Sequence, residues 1–299
     1  MTQNIAIPAQ ASLGAVYENI TALFEAADLD TPKLDARILL CHACDVTHEQ
    51  FIMYPDNRVV NEDRARLTDY IHRRLDGEPV SKIIGYRDFW KDRFRIGLET
   101  LDPRPDTEIL IEHILDHITE HKNVNAALRI LDLGTGSGCI LLSLLGELEN
   151  ALGFGADISM QALEIAHSNA RILGLSERAQ FIKSHWLECF CGDYDIIVSN
   201  PPYIPCRVIK SLMAEVKDYD PHIALDGGED GLQSYRHIVE QIANLSNSKE
   251  GFLVFEVGLG QARAVRTILE NHISQKYHSV KYQYDLNGYV RCVSAHFRQ

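Results

Sequence analysis

The sequence predicts an α/β protein: a mostly parallel sheet with an antiparallel edge hairpin, preceded by a small helical bundle. Three observations carry that expectation. Residues from about Leu13 to Leu75 place apolar side chains at helical spacing. From about Arg104 onward, short apolar runs alternate with amphipathic stretches, the pattern of a sheet covered by helices on both faces. The last two apolar runs are joined by the short "DLNG", which reads as a hairpin turn. At 299 residues the chain is near the size at which single cores divide. The expected parts are a helical domain over 1–78, a β-hairpin linker over 79–103 and an α/β domain over 104–299.

In "TPKLDARILLCHAC", Thr31 can cap a helix, Pro32 suits its first turn, and Leu34, Ile38 and Leu39 share a face. The pattern changes at "GEPVSKIIGYRDFWKDRFRIG", where Gly85, Gly97 and the alternating Phe89, Phe94 and Ile96 predict a hairpin between the domains. The strands that follow are "LRILDLG", "ALGFGAD", "AQFIKS", "YDIIVSN", "GFLVFEVG", "SVKYQY" and "YVRCVSAHF". Amphipathic segments such as "QALEIAHSNARILG" lie between the early ones. There is no internal repeat and no low-complexity segment.

A formal net charge of -13 opposes approach to a polyanion, so no direct nucleic-acid contact is expected. The partner should be a protein or a small molecule. No apolar run reaches the ~18 residues of a membrane helix, and "MTQNIAIPAQ" lacks the regions of a signal peptide, so the expected location is the cytoplasm. Seven scattered cysteines suit reduced thiols. "CHAC" and "CFC" lack a second pair at zinc-finger spacing, and no metal is expected.

Two motifs carry the chemistry. "LDLGTGSGCI" follows a strand and precedes a helix-like stretch, and its glycines let the backbone turn sharply beside a ligand. A plain strand-to-helix turn is the competing reading. Asp157, ending the next strand, can accept from both hydroxyls of a ribose. Asp132, just before the glycines, can order the loop or balance a cationic ligand. No Gly-Lys-Ser/Thr for a phosphate follows, so a nucleoside bearing positive charge, S-adenosylmethionine, fits.

The second motif is "SNPPYIP", at the end of "DYDIIV". Pro201 and Pro202 stiffen the backbone and present carbonyl oxygens without N–H groups. The Asn200 side-chain oxygen and the Pro201 carbonyl can take both hydrogens of a planar NH₂ group and aim its nitrogen at a methyl donor. Good alignment is worth up to roughly 7 to 11 kcal/mol, against ~1 kcal/mol for an ordinary hydrogen bond, so geometry should dominate and no strong base is needed. Tyr203 can stack on the acceptor. A proline-stiffened loop with a core tyrosine is the alternative.

Taken together, these motifs resemble the class I S-adenosylmethionine-dependent methyltransferases, and within them the peptide chain release factor glutamine methyltransferases, the HemK family. "GEPVSKIIG", "PRPDTEILIE", "LDLGTGSGCI", "VSNPPYIP", "LDGGEDGL" and "LVFEVGLGQ" occur in family order across nearly the whole chain. The resemblance implies a Rossmann-like sheet and a helical domain that helps to dock the protein substrate. It makes Gly134, Thr135, Gly136, Ser137 and Gly138 the cofactor loop, with Asp157 on the ribose, Trp186 beside the adenine and Asn200 also near the cofactor. It makes Asn200, Pro201, Pro202 and Tyr203 the grip on the acceptor, the glutamine of the Gly-Gly-Gln motif of class 1 release factors. Arg104 and Glu108 are expected to order the crevice rim, and the enzyme to act as a monomer. Rival readings are an adenine amine methyltransferase on DNA or RNA, a ribosomal-protein glutamine methyltransferase, and a non-enzymatic translation-factor adaptor. Two residues depart from the family pattern: His185 replaces an acid before the tryptophan, and Asp102 replaces an apolar residue.

Overall fold

The computed structural model describes residues 7–121, 125–245, 250–272, 277–285 and 287–297. The chain forms two compact units, Met1–Gly85 and Tyr86–Gln299.

The first unit holds α1 (Leu13–Ala26), α2 (Pro32–Ala43), α3 (His48–Met53), α4 (Asn61–Leu75) and α5 (Val80–Ile84). Ser12 caps α1, and Thr47 and Gln50 close a reciprocal capping box on α3. Val16, Ile20 and Phe24 of α1 meet Leu39 and Leu40 of α2 and Leu67 and Ile71 of α4 in one core. The α2 face differs from the expected one, because Leu34 is exposed. Asp35 turns inward instead, pairing with the Arg74 guanidinium at 2.7 Å. Thr31 gives its hydroxyl to Asp35 at 2.7 Å rather than to the helix backbone. The stripe Ala36, Leu39, Leu40 and Ala43 faces the core, and Asp35 beside it, a buried carboxylate that must be paired, finds its partner in Arg74. The helix α5 buries Ile83 in the same core, so this unit runs past residue 78 to Gly85.

The second unit opens with a hairpin, β1 (Tyr86–Phe89) and β2 (Asp92–Arg95). It is packed into the unit rather than left as a bare link, since Phe89 and Phe94 are buried in the main core. A 3-10 turn over Pro105–Thr107 runs into α6 (Glu108–His121). Then come β3 (Arg129–Leu133), α7 (Cys139–Glu147), β4 (Leu152–Asp157), α8 (Met160–Ile172), β5 (Ala179–Lys183) and β6 (Ile196–Ser199). Short helices α9 (Cys206–Ile209) and α10 (Ala214–Lys217) precede α11 (Gln233–Ala243), β7 (Gly251–Glu256), α12 (Ala262–His272), β8 (Tyr277–Tyr284) and β9 (Val290–Phe297).

The sheet order is β5-β4-β3-β6-β7-β9-β8. The first five strands in that order pair in parallel, and β9 pairs antiparallel with both β7 and β8. Alternation sorts side chains to the two faces: Ile130, Ile196 and Val254 join one core, and Leu131, Ile197 and Phe255 the other. Of the expected "DLNG" turn, Leu286 lies outside the described residues, and Asp285 accepts from the Asn287 and Tyr289 amides at 2.9 Å.

Candidate active site

Neighbouring β3 and β6 are connected through opposite halves of the sheet, which makes their carboxyl ends a topological switch point. A crevice opens there, lined by Gly134, Thr135, Gly136, Ser137, Asp157, Trp186, Asn200 and Pro202. Three other expected residues are not among those that line it: Gly138, Pro201 and Tyr203.

The glycine loop is held from below. The amides of Gly134 and Thr135 both donate to the Ala156 carbonyl, at 2.8 and 2.9 Å. Gly136 has φ 55°, a conformation that strains a side-chain-bearing residue, and its N–H donates to Asp157 Oδ2 at 2.9 Å. The Thr135 hydroxyl donates to Asp132 Oδ2 at 2.7 Å. Asp132 is fully buried, and burial pushes its carboxyl up to about 7. It does not line the crevice; of the two roles open from sequence, this contact gives it that of ordering the loop. Asn169 secures the far side, donating to the carbonyls of Ser137 at 2.8 Å and Arg95 at 2.9 Å. Gly138 starts α7, where a β-carbon would crowd Ala166 and Leu142.

Asp157 is oriented by two amides, with Oδ1 accepting from Ser159 at 2.9 Å. Burial raises its pKa and the backbone hydrogen bonds oppose the rise. Trp186 has φ 55°, and the next amide, of Leu187, donates to Gln241 Oε1 at 2.7 Å. His185 lines the crevice beside it, with Nδ1 3.0 Å from Glu188 Oε1.

At the end of β6, the Ser199 hydroxyl donates to the Leu133 carbonyl at 2.6 Å, pinning this strand to β3. Asn200 Nδ2 donates to Thr107 Oγ1 at 3.3 Å. Neither Asn200 Oδ1 nor the Pro201 carbonyl accepts a hydrogen bond from any described residue. Pro201 is buried. The Tyr203 ring packs against the core cluster of β7 and α11, and its hydroxyl donates to Glu256 Oε1 over a long 3.5 Å.

The backbone of this loop is clamped by the later motifs. Gln261 Nε2 donates to the Tyr203 carbonyl at 2.8 Å, and the Gly227 amide donates to the Ile204 carbonyl at 2.9 Å. A β-carbon on Gly227 would come 2.9 Å from the Pro202 oxygen, and one on Gly231 would collide with the Tyr203 oxygen. "PRPDTE" is fixed on its outer side, as Arg104 pairs with Asp220 at 3.2 Å, Asp106 with Arg291 at 3.0 Å, and Glu108 accepts from the Trp90 amide at 2.8 Å. Asp102 is accommodated by Arg87 at 3.7 Å. Sequence reasoning missed Thr107, Leu101, Pro103 and Ile223 as lining residues, which no periodicity marks. It also missed Glu256, although a lone acid within the apolar "GFLVFEVG" was a readable signal.

Residues 15–85 match the family model described as PrmC N-terminal domain, and residues 101–215 match Methyltransferase small domain. A release factor glutamine methyltransferase from Bradyrhizobium diazoefficiens is 42% identical over 258 residues, covering 86% of this chain and 86% of the relative. The chain belongs to the release factor glutamine methyltransferase family. Another relative of that name in the family, from Rhodospirillum rubrum, is 42% identical over 96% of this chain and 85% of its own. Among solved structures, the hMettl16 catalytic domain in complex with MAT2A 3′UTR hairpin 6 aligns with TM-score 0.54 at 17% identity, over 79% of this chain and 81% of that one. That likeness concerns the fold. In this family member, no helix of the described residues is long and apolar enough to cross a membrane, and among them no histidine, cysteine and carboxylate group is placed to hold a metal.

Proposed function

We propose that the chain transfers the methyl group of S-adenosylmethionine to the side-chain amide nitrogen of the glutamine in the Gly-Gly-Gln motif of class 1 peptide chain release factors. It does so as a monomer in the cytoplasm, with the helical unit helping to dock the release factor. The observation that carries this reading is the pair of uncommitted acceptors, Asn200 Oδ1 and the Pro201 carbonyl, at the crevice end of β6. The relatives' name, release factor glutamine methyltransferase, supports a release-factor glutamine as the acceptor.

The residues present fit the cofactor. Asp157, oriented by the Gly136 and Ser159 amides, keeps lone pairs for ribose hydroxyls. Trp186 offers an aromatic wall for the adenine, and the turn Gly134–Gly136 brings bare backbone to the crevice. When bound, the cofactor supplies an electrophilic sulfonium methyl. Asn200 Oδ1 and the Pro201 carbonyl accept the two hydrogens of the glutamine NH₂, hold its nitrogen in line and favour positive charge there. Pro202 walls the acceptor side, and Tyr203 supports the loop from beneath. No side chain is assigned as general base: the sulfur would leave as a neutral thioether and the surplus proton of the methylated nitrogen would pass to water.

The test is incubation of the purified chain with labelled cofactor and, separately, a class 1 release factor, a ribosomal protein, DNA and RNA. Label on the release-factor glutamine is expected. Label on an adenine or on the ribosomal protein instead would replace the proposal, and cofactor binding with no transfer to any of them would favour the adaptor.

A further inference from the structure

Beneath the acceptor loop lies a carboxylate that the proposed reaction does not use. Glu256 ends β7 and is 4% exposed. Tyr203 donates to its Oε1, while Oε2 has no hydrogen-bond partner among the described residues. The Thr107 hydroxyl favours the ionised form of the carboxylate, although no formed hydrogen bond joins the two. Thr107 Oγ1 in turn accepts from Asn200 Nδ2. The other groups facing Glu256 are Asp106 on the 3-10 turn, Arg291 and Cys292 on β9, and Tyr235 on α11, whose hydroxyl donates to the Glu256 carbonyl at 2.8 Å. Arg291 favours the charged carboxylate and Asp106 opposes it, while burial dominates and raises its pKa to about 7.

We propose that Glu256 is a positioning residue for methyl transfer, acting through Thr107 to set which end of the Asn200 amide faces the crevice. The inference rests on Asn200 Oδ1 being the acceptor for the substrate amide. An ionised carboxylate can only accept, so it draws the Thr107 hydroxyl proton toward itself. The Thr107 oxygen is then left as an acceptor for Asn200 Nδ2, and Oδ1 is presented to the substrate. A protonated Glu256 can donate to Thr107 instead. The Thr107 proton then points at Asn200, favours the flipped amide, and sets Nδ2 against the N–H groups of the glutamine. Glu256 thereby tunes the reaction without touching the substrate.

The experiment measures methyl transfer to a class 1 release factor from about pH 5.5 to 8.5 for the wild type, Glu256→Gln, Thr107→Val and Thr107→Ser. Cofactor affinity by calorimetry and the NMR signal of the Asn200 side-chain amide are followed alongside. The wild-type kcat/KM should fall about tenfold per pH unit on an acid limb. Glu256→Gln and Thr107→Val should lie at least about tenfold lower at high pH and lack the limb, while Thr107→Ser keeps it. Cofactor affinity should be retained throughout, and the Asn200 amide signal should titrate in the wild type and not in Glu256→Gln. A limb that survives in Glu256→Gln, or an amide signal indifferent to pH in the wild type, overturns the positioning role. A wild type that binds cofactor yet methylates no release factor defeats the functional reading, while the amide signal still decides the role of Glu256.

Discussion

Asn200 joins the two halves of the crevice in one side chain, its nitrogen committed to Thr107 and its oxygen uncommitted. On the proposed reaction, Asn200→Ala removes the acceptor oxygen aimed at the reacting nitrogen, and turnover should fall at least about a hundredfold with cofactor affinity retained, as steady-state kinetics and calorimetry can establish. At Asp157 the loss belongs to binding. Asp157→Ala removes hydrogen bonds to a charged group, each worth roughly 1.5 to 3 kcal/mol, and strands the Gly136 amide, so the cofactor Kd should rise about ten- to a hundredfold. His185 stands where the family pattern has an acid, but Glu188 reaches its ring from three positions on. Cofactor binding should therefore persist from about pH 6 to 8, and titration calorimetry that found none would contradict it. Much at this scale is legible in the sequence, because the roles proposed for Gly136, Asp157 and Asn200 need only backbone shape or a single functional group. Tyr203 was less so. A motif fixes the order of residues but not the rotamer, and packing against β7 and α11 keeps that ring with the core instead of the crevice.

The loop after β6 shows how elements remote in sequence shape one another. Gly231, at φ +75°, leaves room for the Tyr203 carbonyl that Gln261 holds. Gly231→Ala would force the two apart, costing roughly 1 to 3 kcal/mol of stability and most of the turnover while sparing cofactor affinity; thermal unfolding and kinetics would separate these effects. The strands themselves were readable, since runs such as "YDIIVSN" and "GFLVFEVG" are buried on both faces and need no partner to be recognised. Two features were not readable. The burial of Asp35 on α2 is matched by Arg74, a contact between distant positions that periodicity cannot anticipate. The insertion of β9 between β7 and β8 is likewise a matter of pairing, and nothing local in "YVRCVSAHF" selects its neighbours.

For the molecule as a whole, buried acids set the pH response of stability. Asp132 and Glu256 are raised to about 7 from ordinary values of 3.8 and 4.5. Folding therefore favours their protonated forms, and the stability they contribute is complete below the ordinary values and lost as pH rises through about 7. His113, lowered by burial, works in the opposite sense and withdraws stability as pH falls below 6.5. Asp132→Asn and Glu256→Gln should each gain in Tm relative to the wild type as pH is raised from about 6 to 8, by differential scanning calorimetry. A parallel shift at all pH values would show that neither acid titrates in that window. The place of β9 has a further consequence. Arg291, which holds Asp106, and Cys292, which pairs with Glu256 across the sheet, both belong to β9, which follows α12 and β8 in the chain. During synthesis, a nascent chain that has emerged only as far as α12 already contains the segments of the cofactor loop but lacks the strand that braces the acceptor side. The acceptor side would thus be braced only once β9 itself has left the ribosome.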